Sequence, residues 1–124
     1  MAGVTGIGGV FFRSPDPAAL QAWYVEHLGL DPATDGYVVM TWGGDVRGST
    51  VWAPFPADTD YFGSDRQQWM VNYRVDDLDA VLSRLRSGGV RVDDEVLEDD
   101  NGRFGWCWDL DGNRLELWEP GPDR

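Results

Sequence analysis

What this chain of 124 residues has little of narrows its chemistry first. It has one cysteine, Cys107, so no disulfide can close within it. That reads as a cytoplasmic protein in a reducing compartment, with the thiol as small core filler rather than a nucleophile. It has one histidine, His27, at the end of a helical pattern, which leaves no imidazole for a nucleophile–histidine pair. No apolar run approaches the ~18–20 residues that cross a bilayer, so no membrane partner is expected. Met1 to Gly9 carry no Lys or Arg and no long apolar core, unlike a secretory signal. There is no P-loop and no CxxC. Gly6-Ile7-Gly8-Gly9 precedes a strand pattern instead of opening a helix, so it is not a phosphate cradle. Positive charge is scarce: 10 Lys and Arg against 22 Asp and Glu give a net charge of −12. Nucleic acid is a poor partner for such a surface, because its affinity comes mostly from phosphate neutralisation. Cationic ligands, or plain solubility, suit it better.

What is present is globular. The length suits one domain with one core, and 42% hydrophobic and 26% charged residues are ordinary values for that class. Seven tryptophans are not ordinary. Trp23 falls in a helical pattern; 42, 52, 69, 106, 108 and 118 fall in strand-like segments. So many large amphipathic rings fit either a packed core or the wall of a small-molecule cavity.

In chain order, Gly6 to Arg13 reads as a strand. Asp16 is a good N-cap and Pro17 a good first helical residue. Leu20, Trp23, Tyr24 and Leu28 follow at helical spacing, and Gly29 closes the helix. Tyr37 to Trp42 and Ser49 to Ala53 are strand patterns, the second ended by Pro54 and Pro56. Asp58 to Gln67 is polar and carries Tyr61 and Phe62, which suits a rim, a lid or an exposed linker. The order then begins again. Trp69 to Val75 is a strand, Asp76 or Asp77 caps a helix from Leu78 to about Ser87, and Gly88-Gly89 end it. Val90 to Glu98 alternates as a half-buried strand, and Phe104 to Trp108 and Asn113 to Trp118 are the last two. Adding 61 carries Val10 to Val71, Arg13 to Arg74, Asp16 to Asp77, Leu20 to Val81 and Tyr24 to Leu85. The chain is a duplicated βαβββ unit.

The ending is the most telling stretch. Asp109-Leu110-Asp111-Gly112-Asn113 is a turn in which Asx side chains bond nearby backbone. Leu115 and Leu117 then point one way, and Arg114, Glu116 and Trp118 the other, until Pro120 ends the strand. This turn, followed by Leu-Glu-Leu-Trp-Glu-Pro, resembles the final strand of the glyoxalase / bleomycin-resistance / extradiol-dioxygenase superfamily, the vicinal oxygen chelate fold. With the duplicated start, the resemblance spans about Gly6 to Pro120. It implies an α+β fold in which two βαβββ modules form a curved mixed β-sheet cup with helices outside. The chain is then one domain, 1–124, with module one at about 6–56, a linker at about 57–67 and module two at about 68–120. It also implies a homodimer.

In the metal enzymes of that superfamily, Glu116 would be a ligand. The positions matching the first-strand ligands are Gly9 and Met70. Glycine has no side chain, and a thioether prefers soft metals. Ser49 to Phe55 offers no His, Glu, Gln or Asp. One carboxylate builds no tetrahedral or octahedral site, so no metal and no cofactor are expected. By alternation the cup-facing set is Gly9, Phe11 and Arg13, then Met70, Asn72 and Arg74, with Glu116 and Trp118 from the last strand. Trp52, Trp106 and Trp108 are further candidates whose side alternation leaves open. The first reading is a metal-independent small-molecule binder with an aromatic cup, on the pattern of bleomycin-resistance proteins, for a cationic or aromatic ligand. The second is a lyase, isomerase or dioxygenase of the superfamily with an altered site, in which Glu116 is a general base beside Arg13 or Arg74. The third is a non-catalytic interaction module whose cup has become core.

Overall fold

The computed structural model describes residues 10, 14–32, 37–40, 48–53 and 55–122. Two helices in it begin in the same way. Asp16 stands at the N-cap of α1 (Pro17–Leu28), and its carboxylate accepts the Ala19 amide at 3.1 Å. Asp77 stands at the N-cap of α2 (Leu78–Ser87) and accepts the Ala80 amide at 3.0 Å. Each carboxylate satisfies an amide that has no partner inside its helix. The two caps are 77 − 16 = 61 residues apart, which is the spacing of the sequence repeat. Gly29 ends α1 at φ 70°, a conformation glycine takes without a Cβ penalty. Among the described residues, no helix is long and apolar enough to cross a membrane.

Four strands follow α1: β1 (Asn72–Arg74), β2 (Leu97–Asp99), β3 (Gly102–Trp108) and β4 (Arg114–Pro120). They form one mixed sheet in the order β1-β4-β3-β2. β1 and β4 are parallel, and the other pairs antiparallel. The chain crosses from β1 to β2 through α2, so Asn72–Pro120 is a βαβββ unit with β4 enclosed between β1 and β3. One sheet face carries Cys107, Leu115 and Leu117. Against it pack Leu78, Val81, Leu82 and Leu85 of α2, and Leu20 and Tyr24 of α1. Burial of each such side chain contributes roughly 1.5–3 kcal/mol. Gly105 lets α2 close on β3, since a Cβ there would lie 3.2 Å from a Leu82 methyl.

The expected strands are met unevenly. Trp69 to Val75 shortens to β1. Val90 to Glu98 is not one strand: Val92 bridges Cys107, and regular pairing resumes only at Leu97, opposite Phe104. Between them the Asp93 side chain accepts the Glu95 amide at 2.9 Å, a local turn that competes with the ladder. Ser49 to Ala53 is not a strand either. No described strand pairs with it, although the Ser49 carbonyl accepts from Arg74 Nη1 at 3.3 Å. Tyr37 to Met40 carries one bridge, Pro32 to Val38. Gly9, Phe11, Arg13 and Trp42 lie outside the described residues, so the expected first strand does too, apart from Val10.

Candidate ligand site at Glu116

Register decides which side chains share the face opposite the helices, because paired residues point the same way. Three rows result. Asn72, Glu116 and Trp106 form the first; Arg74, Trp118 and Phe104 the second; Arg114 and Trp108 the third. This settles the side of Trp106 and Trp108, which alternation left open: both stand on the face of Glu116.

The first row holds the chemistry. Glu116 is only 9% exposed. Its Oε2 accepts from Asn72 Nδ2 at 3.1 Å, and its Oε1 accepts from the Tyr61 hydroxyl at 2.5 Å. A buried carboxylate demands such donors, since desolvating it unpaired is expensive. Burial is the main cause that pushes the Tyr61 hydroxyl's pKa up, and the Glu116 carboxylate adds to it. The Trp106 indole N–H opposes that shift, yet it is buried without a well-formed hydrogen bond among the described residues.

Tyr61 reaches the face because its segment is tied to the start of β4. Gln67 brackets Arg114, accepting its amide at 2.7 Å and donating to its carbonyl at 2.6 Å, as a neighbouring strand would. Arg114 Nε donates to the Tyr61 carbonyl at 3.1 Å, and Nη1 to Asp93 Oδ2 at 3.1 Å. The same guanidinium lies 5.2 Å from the Trp106 ring centre and 5.0 Å from that of Trp108. The Glu95 amide, and after it Arg114, hold the Asp93 carboxyl below the usual range against its burial. The Tyr61 ring stacks on Phe55 at 5.4 Å and meets Trp106 edge-on at 6.1 Å.

In the second row, the Arg74 guanidinium lies 4.9 Å from the Trp118 ring centre. Trp118 stacks on Phe104 at 6.0 Å and donates through Nε1 to the Asn101 carbonyl at 2.9 Å.

Of the expected site residues, Asn72, Arg74, Trp106, Glu116 and Trp118 converge on this face. Met70 is half-buried just ahead of β1. Trp52 is 75% exposed, too open to be packed into the cluster. Phe11 and Arg13 lie outside the described residues. Among the described residues, Glu116 is hydrogen-bonded by Tyr61 and Asn72; of the two arginines that sequence reasoning set beside it, Arg74 lies against Trp118 and Arg13 is outside the described residues. Arg114, Phe104 and Gln67 were missed. The signal for Gln67 and Tyr61 was present only as a ring-bearing polar linker, with nothing to give its destination.

His27 stands on the last turn of α1, against Trp23. It lines a groove of about 610 Å³ between the helix ends and the Asp109–Gly112 turn, with Trp23, Arg91 and Trp108. That groove does not include Glu116, and its volume alone gives it no claim over a buried, doubly bonded carboxylate. Cys107 is fully buried in the core, and burial pushes its thiol up to about 12.

Among the described residues, the donors around Glu116 do not fit a divalent metal. Both Glu116 oxygens are engaged by neutral donors, and Met70 offers a thioether. Among the described residues, no three His, Cys, Asp or Glu side chains are grouped to hold an ion.

A profile of the Glyoxalase/Bleomycin resistance protein/Dioxygenase superfamily matches residues 6–117. The chain belongs to that superfamily. Among solved structures, this superfamily member is similar to TnmS3, an antibiotic binding protein from Streptomyces sp. CB03234. The identity is 28%, over 86% of this chain and 88% of that one, with a TM-score of 0.52. It is similar to a glyoxalase/bleomycin resistance protein from the same organism at 28% identity, over 84% and 91% of the two chains, with a TM-score of 0.50. A glyoxylase/bleomycin resistance protein/dioxygenase domain from Frankia sp. EAN1pec shares the fold, with a TM-score of 0.64 over 96% and 100% of the chains at 17% identity. No curated protein matches.

Proposed function

We propose that this superfamily member binds a small ring-bearing molecule, cationic or donor-rich, against the Glu116 face, and does so without a metal. The observation that carries the reading is the buried Glu116 carboxylate in a row with Trp106 and Asn72, with Trp118 in the next row. A carboxylate supplies charge, and ring faces supply stacking and cation–π contact. The likeness to an antibiotic binding protein points the same way. The alternative is an altered enzyme of the superfamily in which Glu116 is a general base.

The chain is read as one domain of two modules, 6–56 and 68–120, joined by 57–67. A homodimer is part of the proposal. Val39, Met40, Val51, Trp52 and Trp69 are all strongly exposed, Trp69 at 79%. Large apolar side chains exposed in such number suit a protein interface. A cytoplasmic location is kept from the single thiol.

Thermal-shift screening against ring-bearing cations and aromatic antibiotics tests the binding, with tryptophan emission as a second readout. Saturable stabilisation that survives EDTA supports it. No shift in either readout across the set counts against it.

A further inference from the structure

We propose that Tyr61 is a resident stand-in for the ligand, and that the site takes molecules presenting what Tyr61 presents: a planar ring ending in an O–H or N–H donor. This deepens the Glu116 reading and rests on it. The Tyr61 ring lies in a slot, stacked on Phe55 at an interplanar angle of 18° and edge-on to Trp106 at 90°. At the end of the slot its hydroxyl meets Glu116 Oε1 at 2.5 Å. An aromatic wall with an acceptor at its end is a recognition site for a phenol, an aryl amine or an amidinium.

The residue filling the slot is not part of the sheet. It comes from a turn, closed by the Gly63 amide to the Asp60 carbonyl at 3.0 Å, and its bond to Glu116 spans 55 residues of sequence. Its backbone is held separately, by Arg114 Nε on the Tyr61 carbonyl. The side chain can therefore swing out about its own torsions while the strap stays on β4. Tyr61 is half-buried, so part of it already meets solvent. Asn72 keeps its bond to Oε2 during the exchange. Unliganded, the carboxylate is thus satisfied by Tyr61. Occupied, it is satisfied by the guest, and weak donors that cannot displace a phenol are excluded.

The test is rescue of Tyr61→Ala by p-cresol, which is the tyrosine side chain as a free molecule. Binding is followed by tryptophan emission and by calorimetry, with toluene as the ring without a donor. Expected is saturable p-cresol binding to Tyr61→Ala at least tenfold tighter than to the wild type. It should also be at least fivefold tighter than toluene, and the preference should vanish in Tyr61→Ala/Glu116→Gln. Equal affinity of wild type and variant, or no preference for p-cresol, overturns the proposal. Should Tyr61→Ala fail to fold, Tyr61→Phe carries the test. Benzamidine must then raise its melting temperature by at least 2 °C more than that of the wild type, and an equal rise overturns the proposal. A wild type that binds nothing in the thermal-shift set contradicts the function proposed above while leaving the p-cresol result to be read by itself. A wild type that binds a guest beside a Tyr61→Ala without preference contradicts this inference alone.

Discussion

Removing one hydroxyl from α1 should loosen the last hairpin of the sheet. The Tyr24 hydroxyl donates to Asp109 Oδ2 at 2.9 Å, across 85 residues of sequence. Both residues are buried. The other oxygen, Oδ1, accepts the Asp111 amide at 2.9 Å and the Asn113 amide at 3.0 Å, so Asp109 shapes the turn that launches β4 and with it Glu116. Tyr24→Phe keeps the ring, with its edge contact to Trp23 at 5.0 Å and its approach to Tyr73 at 5.8 Å. The hydroxyl is lost, with its bond to Asp109 and its contact with the Tyr73 hydroxyl. A buried acceptor left short of a partner costs about 1–3 kcal/mol, and a carboxylate sits toward the upper end. At roughly 3–5 °C per kcal/mol for a chain of this size, the melting temperature should fall by about 6–10 °C for a loss near 2 kcal/mol. Urea unfolding followed by tryptophan emission gives the free energy, and Tyr24→Phe/Asp109→Asn tests the pairing: the double variant should lose clearly less than the sum of the single ones. A Tyr24→Phe protein within about 0.5 kcal/mol of the wild type, with additive single changes, refutes the link between helix and hairpin.

Two glycines on tight turns should respond very differently to alanine. At Gly102, φ is 126° and a Cβ would fall 2.2 Å from the Glu119 carbonyl oxygen, so Gly102→Ala should cost roughly 3 kcal/mol or more by thermal unfolding. At Gly112, φ is 80° but the space is open, so Gly112→Ala should cost only about 1 kcal/mol. Alkaline pH should also destabilise the protein. Burial raises the pKa of Tyr24, Tyr61, Tyr73 and Cys107 in the folded state, so folding favours their neutral forms. Their contribution is complete below the ordinary values, 10.0 for tyrosine and 9.0 for the thiol, and drains away as pH rises beyond them. For Cys107 the loss runs from 9.0 to about 12. The urea midpoint should therefore be flat from pH 7 to 9 and then fall, and a flat profile to pH 11 contradicts it.

Local signals in the sequence carried far. Asp16 was legible as a cap, and the second cap was narrowed to Asp76 or Asp77, because capping is decided within a few residues. The outward side of Glu116 and Trp118 was legible because period two fixes sides once a strand is recognised. The side of Trp106 and Trp108 was not, since it depends on pairing with β4 and not on the alternation of β3 itself. The break in the Val90–Glu98 pattern was legible and passed over: Asp93-Asp94-Glu95 interrupts the alternation where Asp93 satisfies the Glu95 amide from its side chain. Tyr61 is the largest omission. Nothing in Asp58 to Gln67 tells that its tyrosine ends on Glu116, because that placement is set by Gln67 and Arg114 acting together. Tyr24 on Asp109 is hidden in the same way, by distance along the chain.

The central claim is that Glu116 holds a guest by charge and hydrogen bonding, with rings around it and no metal beneath it. Calorimetric titration of p-aminobenzamidine and the other ring-bearing cations of the screen, into wild-type and Glu116→Gln protein with and without EDTA, tests it most directly. The account predicts saturable binding to the wild type, unchanged by EDTA and weakened at least tenfold by Glu116→Gln. Binding that EDTA abolishes, or that Glu116→Gln leaves intact, would contradict it.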